Sequence, residues 1–518
     1  MRIDKRRYIF ALILFILILT SCGMNNAAEN PIATEVIGMQ TATPIPAPTS
    51  TPLVPPNVNS LTGLGVEDPS LLDLPALLVS ISHFPVNARP QAGLSFAPWV
   101  FEIYITEGAT RFLTAFYGQF PEPENTINGD CPVRREPFTQ TTNIIGNRVW
   151  LDSNGDHTQD DWERGVGGVC VYLFNESGEL LQQTSTNSNG YYGFDVEAGR
   201  YVVRFQKPAW MEFVQKNVGD KEKDSDADPV TGQTEAFDVN SPLLHVDAGL
   251  AGEAVPPEPF PHVELPPAKI GPIRSGRLIY ADIAQFFPDS CLIYAFASPE
   301  VLDKIPQCFF VTHDIDGGGY MLETRELPRL ARESRDGAID YSSNIFRSEP
   351  PPDGADAARL HVYISYLNQS AWVYDAASQS YWRYVDNASM DTAGIVRPEI
   401  DRLTNRQLQF ENVIVLFTEH DVVSPTNLDI HLEEDRSGRA LLFRDGGMYE
   451  VNWSTHLTDE ERRTGRHKPI RFVSADGRTL MPLKPGRTWI LVVTPETTVA
   501  EKSAGRWELR FVQPEGAK

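Results

Sequence analysis

The sequence predicts an α/β host domain, richer in strands toward its C-terminus, that is interrupted by a separate β-module. Three observations predict it. Strand-like and helix-like runs alternate on both sides of a central stretch, so residues 61–120 and 268–518 read as halves of one unit. Proline-rich joints, Pro121-Glu-Pro-Glu on one side and Pro256-Pro-Glu-Pro-Phe-Pro with Pro266-Pro on the other, bracket residues from about 140 to 252. The bracketed stretch opens on an acidic loop with cation-binding spacing, beginning at Asp152. A module set off in this way reads as a domain insertion, which a surface loop tolerates because domain termini often lie close together.

At the N-terminus a basic segment, Met1 to Arg7, precedes an apolar run from Tyr8 to Leu19 and then Thr20-Ser-Cys22. The pattern resembles a bacterial lipoprotein signal peptide over residues 1–22. The apolar run is too short for the ~20 residues that span a bilayer, and a small-residue site ending in Cys22 suits cleavage before a lipid-modified thiol. An uncleaved anchor is the other reading, and both hold the body to a membrane outside the cytoplasm. Residues 23–60 are rich in Pro, Thr, Ala and Ser, a composition that favours extended polyproline II. At ~3.1 Å per residue this stalk would reach about 100 Å.

Cysteine usage agrees with that address. Apart from Cys22 there are four cysteines, Cys131, Cys170, Cys291 and Cys308, an even number in a compartment that permits disulfides. Proximity favours Cys291 with Cys308 and Cys131 with Cys170, while free buried thiols stay open. A net charge of −24 argues against nucleic acid as a partner, because phosphate binding needs a basic footprint, and it suits contact with divalent cations.

The host elements follow in order. Leu74 to His83, Trp99 to Thr106 and Arg111 to Tyr117 read as strands. Ser275 to Phe287 carries Leu278, Ile279, Ile283, Phe286 and Phe287 at helical spacing, followed by a strand from Cys291 and a short helix from Pro299. Further on, Asn412 to Phe417, a hairpin from Leu441 to Trp453 around Asp445-Gly446, and the run from Ile470 read as strands.

Within the module, Asp152, Asn154, Asp156, Thr158 (through its carbonyl), Asp160 and Glu163 fall at positions 1, 3, 5, 7, 9 and 12 of an EF-hand-type loop and supply the hard oxygens that Ca²⁺ takes. Position 6 is His157 where a glycine is usual, which points to the weak end of the affinity range, about 10⁻⁴ M. Asp224, Asp226 and Asp228 form a second acidic run that is either another cation site or a solvated turn. Over Ile145 to Glu163, Gly167 to Leu173, Thr186 to Phe194, Ala198 to Phe205, Asp224 to Asp228 and Val246 to Leu250, the module resembles the B-type repeats of Sdr surface adhesins. That resemblance implies a prealbumin-like β-sandwich, stiffened by calcium and used as a spacer or adhesive unit.

In the host, Arg89-Pro-Gln-Ala-Gly-Leu-Ser, Glu107-Gly-Ala-Thr-Arg111 and Ile270-Gly-Pro-Ile-Arg274-Ser275-Gly-Arg277 resemble the YerB-like lipoprotein family, a domain of unknown function with a second C-terminal domain. Phe346-Arg347, His361-Val-Tyr-Ile-Ser, Asn412-Val-Ile-Val and Lys484-Pro-Gly-Arg-Thr-Trp489 extend the resemblance. It implies an N-terminal domain split over 61–120 and 268–365, a C-terminal domain over 366–500, and a layered α/β core. The chain departs from the family where Tyr294-Ala-Phe-Ala stands in place of a His and paired glycines.

Arg274 and Arg277 flank the start of the expected helix, where free amides favour an anion and Ser275 can cap or donate. Arg89, Arg111 and Arg347 would enlarge a guanidinium cluster for carboxylate or phosphate, balanced by Glu107. The competing reading is an Arg–Glu network that only joins strand ends. The chain has no nucleophile elbow, Walker loop, HExxH or GxGxxG. A non-enzymatic surface lipoprotein that binds an anionic or glycan-like envelope ligand is therefore the leading expectation, with Trp372, Tyr374, Tyr381, Trp382 and Tyr384 as a candidate sugar face. A cell-wall-polymer hydrolase or transferase using Glu107, Asp282 or His361 is the enzyme alternative, and a scaffold for a protein partner is the third.

Overall fold

The structure, a computed structural model, describes residues 57–121, 131–138, 143–252, 268–305, 308–310 and 320–517. The expected signal peptide, Cys22 and most of the stalk lie outside them. No helix among the described residues is long and apolar enough to cross a membrane.

β-branched and aromatic runs pair into one sheet that crosses the insertion. Leu77–Ser82 lies antiparallel to Ala109–Phe116 and parallel to Cys291–Tyr294 from the far side of the insert. Trp99–Thr106 pairs with Ala109–Phe116 on one edge and, in parallel, with Thr488–Val493 on the other. The sheet continues through Asn412–Phe417, Ser437–Arg444 and Gly447–Ser454. It therefore runs without a break across the boundary expected near residue 365. A second sheet, ordered Val396–Pro398, Ser380–Asp386, Asn368–Asp375, Arg359–Ser365, Arg506–Arg510 and Thr498–Ser503, packs on the first. At that junction the rings of Trp372 and Trp489 stand 5.3 Å apart, and those of Phe410 and Trp489 5.2 Å.

The chain is mostly β. Among the described residues the α-helices are Ile279–Gln285, Pro299–Leu302, Leu327–Ser334 and Asp459–Thr464, fewer and shorter than the α/β expectation implies. The helical pattern at Ser275–Phe287 yields only seven helical residues because its first part is tied to strands. The Arg274 amide donates to the Ser80 carbonyl at 2.9 Å and the Gly276 amide to the Phe296 carbonyl at 2.7 Å. Ile279, Tyr280, Ile283, Leu327 and Leu330 enter the host core.

The insert is a β-sandwich with its own core. A sheet of Phe237–Val239, Gly199–Gln206, Cys170–Asn175 and Leu180–Ser185 faces one of Glu212–Phe213, Ala248–Ala251 and Val149–Leu151. Val171, Leu173, Val203 and Phe205 from the first meet Val149, Phe213, Ala248 and Leu250 from the second. Cys131–Cys170 ties the insert to its entry segment and Cys291–Cys308 closes a host loop, both as proximity favours. Host and insert lie in one compact unit, Thr51–Lys518. They are joined by Asn187 Nδ2 to Gln409 Oε1 at 2.7 Å, the Gly65 amide to the Trp162 carbonyl at 2.7 Å, and the Arg164–Glu67 pair at 2.6 Å.

Candidate functional site

Arg111, Arg274 and Arg277 converge because three backbone segments meet at the end of Leu77–Ser82. Arg111 lies directly opposite Ser82 in the sheet. Ile273 pairs with Ile81, which delivers Arg274 to the same edge, where its Nε donates to Ser82 Oγ at 3.4 Å. Arg277 donates through Nη2 to Ser275 Oγ at 3.2 Å and through Nη1 to the Thr426 carbonyl at 3.5 Å. Behind them, Ser80 Oγ and the Tyr280 hydroxyl stand 2.9 Å apart, and Ser80 also donates to the Ser275 carbonyl at 3.1 Å. Ser275 thus accepts bonds here and does not cap the helix.

Arg111 is only 5% exposed, yet its Nε and Nη1 have no hydrogen-bond partner among the described residues, and neither has the buried Nε of Arg277. Burial pushes the Arg111 guanidinium down to about 9; the nearby Tyr280 hydroxyl opposes this, and the charges of Arg277 and Arg274 reinforce it. Burial lowers Arg274 and Arg277 as well. No carboxylate forms an ion pair with Arg111 or Arg277 among the described residues. The arrangement is a desolvated patch of positive charge with donors to spare, which an oxyanion would satisfy.

The other expected members lie elsewhere. Arg89 stands on the far side of His83, donating from Nη2 to His83 Nε2 at 2.8 Å and from Nε to the His83 carbonyl at 3.2 Å, with a further bond to the Asp386 carbonyl. Glu107 cannot balance the cluster. With φ +50° it is the exposed first residue of a two-residue hairpin turn, Gly108 at φ +78° being the second, a pairing of left-handed residues that matches the twist of the flanking strands. Arg347 is exposed at another edge, where its backbone pairs with Leu483. Asp282 is pushed up to about 6 by burial and by Glu433 and Asp429. His361 sits on the second sheet opposite Ala371 and Glu508, lowered by burial and by Arg359. Trp372, Tyr374 and Tyr381 belong to the host core, Trp382 is buried beneath Arg134, whose guanidinium lies 4.6 Å from its ring, and Tyr384 is half-buried.

Sequence reasoning missed Ser80, Ser82, His83 and Tyr280. The available signal was the polar interruption Ser80-Ile-Ser82-His83 in an otherwise apolar strand. It also missed a buried charge network. Arg383, with 0% of its side chain exposed, bonds Glu102 at 3.1 Å and also Glu399, under the Trp489 ring at 4.3 Å. Trp489 Nε1 and Thr110 Oγ1 each donate to Glu102 at 3.0 Å, and His83 Nδ1 lies 2.7 Å from Thr110 Oγ1.

In the insert, Asp152 Oδ1 accepts the Gly155 amide at 2.7 Å and Oδ2 the His157 amide at 3.1 Å. Glu163 accepts the Ser153 and Asp160 amides at 2.7 and 3.1 Å. Thr158 bonds Asp156 through its amide and hydroxyl, both at 2.8 Å. Burial pushes the Glu163 carboxyl up to about 7, and the charges of Asp152 and Asp160 add to it. His157 adopts φ +66°, the left-handed conformation that glycine usually supplies, at roughly 1–2 kcal/mol. Among the described residues no group of three His, Cys, Asp or Glu side chains is arranged to hold a metal ion. The Asn154 amide instead donates to Asp156 at 3.0 Å and Asp160 at 2.9 Å. These are oxygen donors of the type a hard cation takes, though Asn154 Oδ1 is engaged by the Asp156 amide at 3.0 Å. In the second run Asp224 Oδ1 is buried without a partner, and Asp226, pushed up to about 6 by burial, bonds the amide of Asp247 at 2.9 Å. Asp228 is taken up by the Val230 and Thr231 amides.

A cleft of about 320 Å³ lies at the seam between host and insert, lined by Glu67, Phe96, Phe120, Arg164, Asn189 and Arg487 among others. No residue expected to bind lines it.

Residues 143–250 match the SdrD B-like domain, and residues 360–490 match the Protein of unknown function (DUF3048) C-terminal domain. The chain thus carries an SdrD B-like domain and, separately, a DUF3048 C-terminal domain. Similar curated proteins include the Serine-aspartate repeat-containing protein F of Staphylococcus epidermidis, 43% identical over 88 residues, 17% of this chain and 5% of that protein. The Serine-aspartate repeat-containing protein C of Staphylococcus aureus is 44% identical over 87 residues, 17% of this chain and 10% of that protein. The chain therefore spans a tenth or less of these relatives. Among solved structures, the YerB protein from Bacillus subtilis aligns with a TM-score of 0.44 and 16% identity, over 84% of this chain and 96% of that one.

Proposed function

We propose that this chain is an extracytoplasmic protein, lipid-anchored through Cys22, whose YerB-like host binds an anionic group of an envelope molecule at Arg111, Arg274 and Arg277. The single observation behind the reading is the buried Arg111 guanidinium, whose Nε and Nη1 have no partner among the described residues. A desolvated cation with unused donors costs stability and persists where a ligand supplies the counter-charge. The SdrD B-like domain serves as a surface module stiffened by Ca²⁺, held through Asp152, Asn154, Asp156, the Thr158 carbonyl, Asp160 and Glu163, with Asp224 and Asp226 as a second locus.

A thermal-shift screen of the whole chain against anionic cell-wall fragments, with and without calcium, tests this. Stabilisation by an anion that disappears in Arg111→Met supports the host site. Stabilisation by calcium alone removes it and leaves the insert.

A further inference from the structure

We infer that the cleft at the seam between host and insert is a saccharide site, built for one or two neutral sugar rings. It stands apart from the arginine site and does not rest on it.

Both modules build the walls. On the host side the chain leaves Ala109–Phe116 through Gly118 at φ +72°, where an added Cβ would stand 2.8 Å from Asn59 Nδ2, and this turn delivers Phe120 to the cleft. On the insert side Gly165 lets two loops close on each other, since a Cβ there would lie 1.8 Å from the Asn189 carbonyl oxygen. Asn189 Nδ2 donates to Glu411 Oε1 of the host at 2.5 Å, and Arg164 pairs with Glu67 at 2.6 Å across the seam. These side chains are held in place before a ligand arrives, which lowers the ordering cost of binding. At about 320 Å³ the cleft has the size of a small-molecule site, and domain seams are where such sites are common.

Two features select the class of ligand. Charge is the first. Among the described lining residues Glu67 and Asp68 stand against Arg164 and Arg487, two anions and two cations. Arg164 is engaged by Glu67, and Arg487 lies 3.7 Å from Glu411. The balance favours neither sign of ligand. The second feature is the mixed surface. Phe96 and Phe120 are half-buried, and they share the lining with Gln119, Ser188 and the Arg164–Glu67 pair. An aromatic ring beside amide, hydroxyl and charged groups matches a pyranose, which has an apolar C–H face and a rim of hydroxyls that both donate and accept. A wholly apolar ligand would desolvate those polar groups without replacing their bonds. A site walled from both sides also gives the insertion a role, because the insert completes the host.

Isothermal titration of the whole chain with cellobiose and N,N′-diacetylchitobiose, beside glucuronate, glucosamine and the capped dipeptide N-acetyl-dialanine amide, tests this. One of the neutral disaccharides is expected to bind at least about tenfold more tightly than any of the other three. Phe120→Ala on the host wall is expected to lower that affinity about tenfold. Ser188→Trp, at an exposed position on the insert wall, fills the cleft and is expected to lower it at least as much with the melting temperature retained, which covers the case of Phe120→Ala folding poorly. Glucuronate or glucosamine binding as tightly as the disaccharides overturns the neutral class, and the dipeptide binding as tightly overturns the saccharide. Disaccharide binding that survives Ser188→Trp, or no binding by either disaccharide, overturns the site.

Discussion

Arg383 and Arg111 are both buried arginines of the host, and they are set up in opposite ways. Arg383 is held by Glu102 and Glu399 and lies under Trp489, at the junction of the two sheets. Among the described residues Arg111 has no ion-paired carboxylate and no hydrogen bond on its Nε and Nη1, and the charges of Arg277 and Arg274 act against it. The same residue type is a structural rivet in one place and an unbalanced charge in the other. An Arg–Glu network does occur in the host, but it is made by Arg383, Glu102 and Glu399, which the sequence reading did not single out.

Arg383→Met tests the contrast with the largest effect. It leaves Glu102 and Glu399 buried without a counter-charge, and urea denaturation is expected to show a loss of about 3–5 kcal/mol. An unchanged midpoint would remove the rivet.

The insert carries the same contrast with the sign reversed, since burial and the neighbouring charges of Asp152 and Asp160 push the Glu163 carboxyl up to about 7. With a dissociation constant of about 10⁻⁴ M, 10 mM calcium is expected to add about 2.7 kcal/mol to the insert transition in calorimetry. The gain should vanish with chelator and in Asp152→Asn/Glu163→Gln. Calcium acting equally on that variant would place the cation elsewhere.

Acid should separate the two regions further. Burial pushes Asp247 of the insert up to about 7, so without calcium its contribution is complete below the unfolded pKa near 4 and is lost as pH rises through 7. Burial pushes His420 of the host down to about 4 and holds His83 well below its usual value, so their contribution is present above 6.5 and is lost as pH falls through 4. Calcium-free calorimetry is expected to show the insert more stable at pH 5 than at pH 8, and the host less stable at pH 4.5 than at pH 7, each by on the order of 2 kcal/mol. Slopes of the same sign would break the distinction.

Local periodicity made the strands legible, and the proline joints marked the insert. The 12-residue spacing located an acidic loop in which Asp152 and Glu163 accept the amides of Ser153, Gly155, His157 and Asp160. What could not be read was which charges meet across long separations. Arg111 and Arg274 meet because Ser82 and Ile81 pair with different strands, one before and one after the insert. Glu107 seemed a partner to Arg111 by proximity, but a hairpin turn carried it to solvent. Arg347 was expected to enlarge the cluster and lies instead at another edge, exposed. The aromatic run from Trp372 to Tyr384 read equally as sugar face or core, and the second sheet's packing on the first decided it for Trp372, Tyr374 and Tyr381, while Arg134 covers Trp382.

The most direct test is the urea midpoint of Arg111→Met beside that of the native chain, in buffer free of phosphate and sulfate. An arginine kept for a ligand predicts a variant as stable as the native chain or more stable by about 1 kcal/mol, because an unneutralised buried charge has been removed. A loss of several kcal/mol, like that expected for Arg383→Met, would show that Arg111 holds the fold together and would contradict the ligand site.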